Sequence, residues 1–328
     1  MTKWTGATGE NLCRALDLSD YPETDRLYAG LYTSPAKIVK ITRSTMSAIM
    51  TRTLPTGDNY VGALVTDGYY VYPGLWIAPA KVYKLERATL TTVYTWTGAT
   101  GEDRCQALTY DTDYIYAGLN TDPAKVIKIA KSNMTTSLVC TASSGNVFCH
   151  ALAQDANYVY AGLSMDPATV LKIQKSDMTV VDSWVGDVGV ESYVEALVID
   201  GSYLYAGLYT SPSRIVKIDV STMDKVASWT AKSGENNLQA LCQDTDYLYA
   251  GLYLSPYQVI KVAKSTLLTH TKHVGLSGED YCYGIAQDTD YVYAGLYTSP
   301  AQIIKLAKAT DFLAVKAWGI AKIVANAI

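Results

Sequence analysis

The sequence contains few histidines, few basic residues and no long apolar runs, and each shortage excludes a class of function. Its 328 residues include only three histidines and two phenylalanines, and lysine plus arginine (27) are outnumbered by aspartate plus glutamate (31). The net charge of −4 argues against a nucleic-acid partner, because such a surface needs clustered basic residues. No stretch approaches the ~20 apolar residues of a membrane-spanning helix, and the N-terminal segment has no apolar run of signal-peptide length. We therefore expect no membrane span and a cytoplasmic or virion-associated protein.

The scarcity of histidine also limits metal binding and catalysis. His270 and His273 stand three apart on a predicted strand and should face opposite sides of it, and His150 is isolated. A zinc site needs three or four ligands, so none is predicted. The sequence also lacks a Gly-x-Ser-x-Gly nucleophile motif and a glycine-rich phosphate-binding loop. No catalytic residue is therefore predicted.

What the sequence does contain is an internal repeat. The pattern Tyr-x-Gly-Leu begins at Tyr28, Tyr72, Tyr116, Tyr160, Tyr205, Tyr249 and Tyr293. The spacings are 44, 44, 44, 45, 44 and 44 residues, so seven units cover nearly the whole chain. Repeats of roughly 40–50 residues that hold several short strands are typical of β-propellers.

Each unit contains four strand patterns and no helical periodicity. In the third unit the predicted strands are Cys105–Tyr110, Tyr114–Leu119, Lys125–Ile129 and Thr136–Thr141, separated by turns rich in Asp, Thr, Asn and Pro. The sequence therefore predicts an all-β fold over residues 1–318, a seven-bladed β-propeller with four antiparallel strands per blade. The predicted blades span residues 5–54, 55–97, 98–141, 142–185, 186–230, 231–274 and 275–318.

The two ends of the chain compete for the last strand of the seventh blade. Trp4 and Trp318 occupy the same repeat position, and the segment WTGATGE at residues 4–10 recurs at 96–102. Because only the C-terminal segment is long enough for a complete strand, we predict that blade seven is contiguous in sequence. The N-terminal MTKW would at most overlap its seam. The tail at 319–328 has apolar residues at helical spacing and is expected to pack on the side of the propeller.

Several positions repeat in every unit and predict structural roles. The glycine of Tyr-x-Gly-Leu marks a bulge or the close approach of another backbone. A lysine in each third strand should lie across from the repeated tyrosine, as Lys128 from Tyr116, with its stem along the aromatic face. Cysteine alternates with Val and Leu at one first-strand position, which indicates a small core residue. We expect free thiols and no disulfides.

The units resemble known propeller repeats. The segments GENNLQALCQDTDYLYAGLYLSPYQVIKV and GEDYCYGIAQDTDYVYAGLYTSPAQIIKL resemble Gly-Glu…Asp…Tyr…Ser-Pro…Lys repeats of uncharacterised propeller proteins, and more distantly NHL- and YVTN-type propellers. The Gly-His…Trp-Asp pairing of WD40 repeats, the double glycines of kelch repeats and the Asp boxes of sialidases are absent. The resemblance extends over all seven units and implies the fold rather than an activity.

Three sets of positions are candidates for a site at the mouth of the central channel. The first is a ring of acids five residues before the first-strand Ala or Gly: Glu10, Asp58, Glu102, Glu191, Glu235 and Glu279, with Asn146 in the remaining unit. Such a ring could hold Ca²⁺, which takes several oxygen ligands. Alternatively, each acid caps its own loop or pairs with a neighbouring blade, and that role suits a residue that recurs in every blade.

The second set is the residue immediately before that Ala or Gly: Arg14, Gly62, Gln106, His150, Glu195, Gln239 and Tyr283. It is the most variable position in an otherwise uniform strand. A position that takes Arg, Gly, Gln, His, Glu and Tyr in turn is free to specialise. These side chains therefore line either an asymmetric binding mouth or a solvated channel without a ligand.

The third set is the tip of the loop between the second and third strands: Tyr32, Trp76, Asn120, Ser164, Tyr209, Tyr253 and Tyr297. Five of the seven are aromatic, and the tips are predicted to be exposed. Exposed Tyr and Trp are enriched in protein-contact surfaces and offer flat faces for sugars. Alternatively, each ring folds down over the adjacent blade.

These features favour a non-catalytic binding or scaffold propeller with a protein or carbohydrate partner at the channel mouth and no cofactor. One alternative is a hydrolase or lyase that uses Glu195 and His150, in adjacent first strands, with a divalent cation. Another is a virion or cell-surface component that binds a receptor or a glycan. A further one is a stable repeat protein without a tuned ligand.

Overall fold

The computed structural model describes residues 2–19 and 25–312, and all regular secondary structure in these ranges is β-strand. Its 28 strands form seven sheets of four antiparallel strands each. The first strands of neighbouring sheets contact one another in a closed ring around a central channel. The predicted all-β, seven-bladed propeller is therefore confirmed. Within the same two ranges, no helix has the length and apolar character needed to cross a membrane.

Four consecutive strands build each of the first six blades, running from the channel outward. The chain begins with a separate short strand, β1 (Thr2–Thr5). Blade one comprises β2 (Cys13–Ser19), β3 (Arg26–Leu31), β4 (Lys37–Thr42) and β5 (Ser47–Thr53). Blade two comprises β6 (Val61–Thr66), β7 (Tyr70–Leu75), β8 (Lys81–Glu86) and β9 (Thr92–Thr97). Blade three comprises β10 (Cys105–Tyr110), β11 (Tyr114–Leu119), β12 (Lys125–Ala130) and β13 (Thr135–Thr141).

The remaining blades repeat this order. Blade four comprises β14 (Cys149–Gln154), β15 (Tyr158–Leu163), β16 (Thr169–Gln174) and β17 (Val180–Val185). Blade five comprises β18 (Val194–Asp200), β19 (Tyr203–Leu208), β20 (Arg214–Asp219) and β21 (Lys225–Thr230). Blade six comprises β22 (Leu238–Gln243), β23 (Tyr247–Leu252), β24 (Gln258–Ala263) and β25 (Leu268–Val274). Blade seven contains β26 (Cys282–Gln287), β27 (Tyr291–Leu296) and β28 (Gln302–Ala307).

The N-terminal strand completes the seventh blade, so the prediction of a contiguous blade is wrong. β1 takes the outermost place in the sheet of β26, β27 and β28, with Trp4 opposite Ile303 and Thr5 opposite Gln302. The predicted last strand up to residue 318 and the tail at 319–328 lie outside the described residues. Residues 2–5 do more than overlap a seam, because they supply the fourth strand.

A short strand suffices because one side chain anchors it. Trp4 is 5% exposed and packs with Leu27 of blade one and Tyr293 of blade seven in a single core cluster. Its indole fills the position that Trp96 and Trp184 fill in their own blades, where they are 3% and 4% exposed. The residue that finishes an ordinary blade therefore also joins the two ends of the ring.

The repeated glycine allows each blade to pack against the next. A Cβ on Gly118 would lie 2.5 Å from the Sγ atom of Cys149, in the first strand of the following blade. Gly74, Gly251 and Gly295 meet a cysteine in the same way, and the other repeated glycines meet valine or leucine. The group that approaches each glycine is therefore a side chain and not a backbone, while the predicted bulge lies in the strand that pairs with the glycine.

The repeated tyrosine is fully buried and ties the second strand to the turn before it. The hydroxyl of Tyr116 donates to Asp111 Oδ2 at 2.8 Å, while Asp111 Oδ1 accepts the N–H groups of Asp113 and Tyr114. Burial and the neighbouring Asp111 carboxylate raise the pKa of Tyr116. The same bond forms in blades two, four, six and seven. One aspartate therefore fixes both the turn and the buried hydroxyl.

The repeated lysine lies opposite the predicted tyrosine but contacts a different ring. Lys128 pairs with Tyr116 across the two strands, as predicted. Its ammonium, however, lies 4.1 Å from the ring centroid of Tyr114 and donates to the carbonyl oxygen of Lys175 at 2.7 Å. The lysine thus bridges to the next blade instead of lying on Tyr116, and the ammonium of Lys175 lies 5.5 Å from the Tyr116 ring centroid.

The predicted absence of disulfides is confirmed, since all six cysteines are free thiols. Cys13, Cys105, Cys149 and Cys282 are fully buried at the blade interfaces. Their repeat position is the one that faces the glycine of the preceding blade, which explains why Cys alternates there with Val and Leu.

The buried thiols should be unreactive in the folded protein. Burial raises the pKa of Cys140 to about 11 and that of Cys282 to about 12, so the nucleophilic thiolate is scarce near neutral pH. We expect almost none of the six thiols to react with Ellman's reagent within minutes at about pH 8, and all of them to react in concentrated guanidinium chloride. Rapid labelling of several cysteines in the native protein would contradict this burial.

Candidate functional site

A β-bulge near the start of every first strand builds the candidate site. In blade three, Cys105 pairs with Leu119 and Ala107 pairs with Gly118, so Gln106 between them has no cross-strand partner. A bulge redirects the side chain of its extra residue and is common beside functional sites. The seven bulged residues, which we call the bulge ring, are Arg14, Gly62, Gln106, His150, Glu195, Gln239 and Tyr283. They are the variable position of the sequence, and the missing partner explains why this position can vary.

The loop tips lean over the bulge ring. The loop-tip ring comprises Tyr32, Trp76, Asn120, Ser164, Tyr209, Tyr253 and Tyr297, and all seven are half-buried, less exposed than the sequence predicted. Asn120 Nδ2 lies 2.8 Å from His150 Nε2, and Ser164 Oγ donates to Glu195 Oε1 at 2.7 Å. Each tip in these pairs reaches the bulged residue of the following blade, so the two predicted sets form one surface, which we call the mouth.

A second ring of unusual backbone was not anticipated from the sequence. Two residues before each bulged residue the chain has a positive φ, between 57° and 63°, at Leu12, Tyr60, Arg104, Phe148, Tyr193, Asn237 and Tyr281. Such a φ is uncommon without glycine. The N–H of Tyr60 donates to the Thr33 carbonyl of the preceding blade at 2.9 Å, and its own carbonyl accepts the N–H of Trp76 at 2.8 Å. The sequence did contain a signal for this ring, because a second variable position lies two residues before the first one in every unit.

Blades one, two, six and seven supply an aromatic half of the mouth. Tyr32 stacks on Tyr60, and Tyr253 stacks on Tyr281, each with ring centroids 4.5 Å apart. Tyr297 joins the two stacks, at 6.1 Å from Tyr32 and 6.4 Å from Tyr253. The aromatic cluster consists of Tyr32, Tyr60, Trp76, Tyr253, Tyr281, Tyr283 and Tyr297.

Arg14 lies among these rings. Its guanidinium carbon is 4.6 Å from the ring centroid of Tyr32, 4.9 Å from that of Tyr283 and 5.8 Å from that of Trp76. Planar guanidinium groups stack favourably on aromatic faces. The cluster therefore presents a cation held between flat apolar surfaces.

Arg14 also spans the gap that blade two leaves in the bulge ring. Its Nη2 donates to Gln106 Oε1 of blade three at 2.8 Å, past Gly62, which has no side chain. A Cβ on Gly62 would lie 2.1 Å from the carbonyl oxygen of Cys105, so only glycine fits there. Because the close packing of blades two and three requires glycine at position 62, no side chain fills this place in the bulge ring. The Arg14 side chain crosses the space that results.

The other half of the mouth is a polar network around Glu195, drawn from blades three to six. Glu195 Oε1 accepts a hydrogen bond from Ser164 and lies 2.9 Å from His150 Nδ1, and Oε2 accepts the amide of Gln239 at 3.0 Å. The Glu195 side chain is 9% exposed. We call Asn120, His150, Ser164, Glu195 and Gln239 the polar cluster. Both oxygens of the Glu195 carboxylate contact protein groups, and these contacts hold the surrounding side chains in place.

His150 contacts protein groups through both ring nitrogens. Nδ1 faces Glu195 and Nε2 faces Asn120 at 2.8 Å. A general base must reach the proton that it removes from a substrate. The fold does bring the predicted pair of Glu195 and His150 together, but it offers no free ring nitrogen for that task.

Tyr209 is the loop tip between the two halves. Burial raises its pKa, and the nearby Tyr253 and Glu195 act in the same direction. It therefore borders both the aromatic and the polar cluster.

The six acids of the predicted cation ring lie in the loops that lead into each first strand. Glu102 accepts the N–H of Ala99 at 2.9 Å, and Glu235 accepts the N–H of Lys232 at 3.0 Å and the ammonium of Lys272, on the outermost strand β25, at 2.8 Å. Such contacts agree with the capping alternative. All six, Glu10, Asp58, Glu102, Glu191, Glu235 and Glu279, are between 2% and 8% exposed. Among residues 2–19 and 25–312 no group of three or more metal-ligating side chains occurs, and the calcium site stays a prediction.

Comparison with known proteins supports the fold. No protein family and no curated protein sequence matches the chain. Among solved structures it is similar to U3-55K, with a TM-score of 0.72, 13% identity, and coverage of 93% of this chain and 98% of that one. It is also similar to the computationally designed Ika8 protein, with a TM-score of 0.64, 13% identity, and coverage of 92% and 98%. Identities this low show a shared fold alone, and the resemblance to NHL- and YVTN-type repeats stays a prediction.

Proposed function

We propose that the chain is a non-catalytic binding propeller that holds a protein or carbohydrate partner at the mouth. One observation carries the proposal: the positions at which the repeat diverges are gathered into one surface. Residues that recur in every blade make repeated contacts, as the buried tyrosine does with its turn aspartate in blades two, three, four, six and seven. The bulged residues each make different contacts, as Arg14 and Glu195 do.

The chemistry of the mouth suits binding. Tyrosine, tryptophan and arginine contribute most strongly to interface energies because they bury large rigid surfaces at low entropic cost. Stacking holds several of these rings in place before a partner arrives, and such preorganisation lowers the entropy lost on association. The polar cluster opposite supplies fixed hydrogen-bonding groups that would orient the partner. A nearly sevenfold scaffold thereby presents a surface without sevenfold symmetry.

Substitutions at the mouth should remove binding while leaving the fold intact. Partners are first selected with the unmodified protein on a glycan array and by affinity capture. We expect Arg14→Ala and Glu195→Gln each to weaken the selected interaction by about tenfold or more, as interface anchors commonly do. Surface plasmon resonance measures the loss, and circular dichroism verifies folding.

A matched control lies at the opposite end of the channel. Asp113 is an exposed acid in the turn between β10 and β11, so Asp113→Ala removes a charge away from the mouth. It should leave affinity unchanged. Equal affinities for Arg14→Ala, Glu195→Gln and the unmodified protein would move the binding surface elsewhere.

A further inference from the structure

Arg14 and the aromatic cluster together contain two of the ten buried side-chain nitrogen and oxygen atoms that have no partner among the described residues. Arg14 has five N–H groups, yet its single hydrogen bond to a described residue is the one from Nη2 to Gln106. Its Nε atom is buried and has no partner among the described residues, and the same is true of Nε1 of Trp76. Buried donors without acceptors are costly and rare in folded proteins. The two unpartnered donors, Arg14 Nε and Trp76 Nε1, belong to neighbouring side chains at the mouth.

The positive charge here is also uncompensated. Neither Arg14 nor Arg104 forms an ion pair with a carboxylate within residues 2–19 and 25–312. The guanidinium of Arg104 lies 4.8 Å from the Trp76 ring centroid, so two cations flank this indole. By contrast, Arg43 at the other end of the channel pairs with Asp288 at 3.0 Å. Within the described part of the chain, Arg14 and Arg104 therefore lack the carboxylate partner that Arg43 has, although Glu195 lies in the polar half of the same mouth.

We infer that the aromatic cluster binds a carboxylate-bearing sugar, whose carboxylate pairs with Arg14 and accepts the indole N–H of Trp76. The inference rests on the proposed binding function and names the ligand class of the same mouth. Arginine is suited to this task because its planar fork matches a carboxylate. Both nitrogens are buried in the free protein, so the side chains packed over them must move for these contacts to form, while the Tyr253–Tyr281 stack stays in place.

A sugar fits this surface better than an acidic peptide does. The C–H faces of a pyranose ring stack on flat aromatic side chains, and Tyr283 and Tyr297 place such rings beside Arg14. Tyr32 is already stacked on Tyr60 and Arg14. Hydroxyl groups on the same ring need fixed donors and acceptors on the far side. Asn120 and Gln239 of the polar cluster provide amides for them. An extended peptide would pair its backbone with a free strand edge, and the free edges of the first strands lie inside the ring of seven blades.

The test uses three small probes and one reporter. Methyl β-glucuronide is compared with methyl β-glucoside, which has the ring without the carboxylate, and with acetate, which has the carboxylate without the ring. The chain has six tryptophans, and Trp76→Phe identifies the indole N–H signal of Trp76 in the ¹⁵N-labelled protein. We expect the glucuronide to shift this signal, because the N–H gains an acceptor. Trp96 and Trp229 already donate to Thr136 and Thr269 and serve as internal references.

The glucuronide should bind at least about tenfold more tightly than either comparison probe, and Arg14→Gln should abolish that advantage. Arg214→Gln removes an arginine that bonds to Thr230 on an outer strand and should change nothing. If Arg14→Gln does not fold, Arg14→Lys keeps the charge but loses the planar fork, and should weaken the glucuronide several-fold.

Equal binding of glucuronide and glucoside, or unchanged binding in the folded Arg14 variants, would overturn the inference. A glutamate-rich peptide that shifts Trp76 when the glucuronide does not would replace the sugar with an acidic peptide. If mouth variants lose a selected partner but no probe shifts the Trp76 N–H signal, the proposed sugar ligand is wrong and the proposed binding function stands. If substitutions at the mouth change the binding of neither the partner nor the probes, both proposals are wrong.

Discussion

Replacing Trp4 with alanine should open the ring between the seventh blade and the first. β1 is short, and its anchor is an indole buried between Leu27 and Tyr293. Loss of a buried Trp side chain costs about 3–5 kcal/mol of unfolding free energy. We also expect the freed β28 to present an unpaired edge, which favours association between chains. Urea denaturation and size-exclusion chromatography measure the two effects.

Trp184→Ala is the matched control for this result. Trp184 is equally buried, but its strand is joined to its neighbours in sequence within blade four. It should lose similar stability and stay monomeric. Thr5→Ala, at an exposed position of β1, should alter neither property. If the Trp4 variant elutes as a monomer like the Trp184 variant, closure of the ring does not depend on the N-terminal strand.

Gly118→Ala should destabilise the interface between blades three and four. The added Cβ would meet Cys149 Sγ at 2.5 Å and Ala107 Cβ at 3.3 Å, and the sulfur is fixed in a first strand. Inserting a methyl group into a well-packed core costs about 1–3 kcal/mol. Denaturant unfolding followed by tryptophan fluorescence measures this loss.

A double-mutant cycle isolates the cause. Cys149→Ala removes the sulfur that the new methyl group would strike, so Gly118→Ala should cost much less in that background. We expect a coupling of about 0.5–3 kcal/mol between the two sites, as for residues in direct contact. Additive effects would show that the glycine is needed for another reason, such as the freedom of its backbone.

The fold was predictable because its signal is local and repeated. The turn at Asp111 and the alternation of β11 are encoded within a few residues, and seven copies remove most of the ambiguity of a single unit. Even the register of Lys128 against Tyr116 followed from counting across one hairpin. Counting did not predict that the Lys128 ammonium lies over the Tyr114 ring. Its hydrogen bond to the Lys175 carbonyl oxygen in the next blade decides that position.

The candidate site was predicted in its positions but not in its arrangement. Variability alone marked Arg14, His150 and Glu195. It could not show that each is the extra residue of a bulge, since a bulge depends on the partner strand. Nor could it separate the aromatic from the polar half, because the residues that meet there belong to different blades.

The number of blades follows from the number of repeats, and the strands of the first six blades and the variable positions follow from patterns inside each 44-residue unit. How the ring closes and which residues meet at the mouth depend on contacts between units. Trp4 and Trp318 occupy the same repeat position, so periodicity could not choose between them, and the pairing of β1 with β28 gave the fourth strand to Trp4. Arg14 meets Gln106 and Tyr283 only because seven nearly identical blades bend the chain back on itself. Contacts between residues so far apart in sequence are set by the geometry of the closed ring.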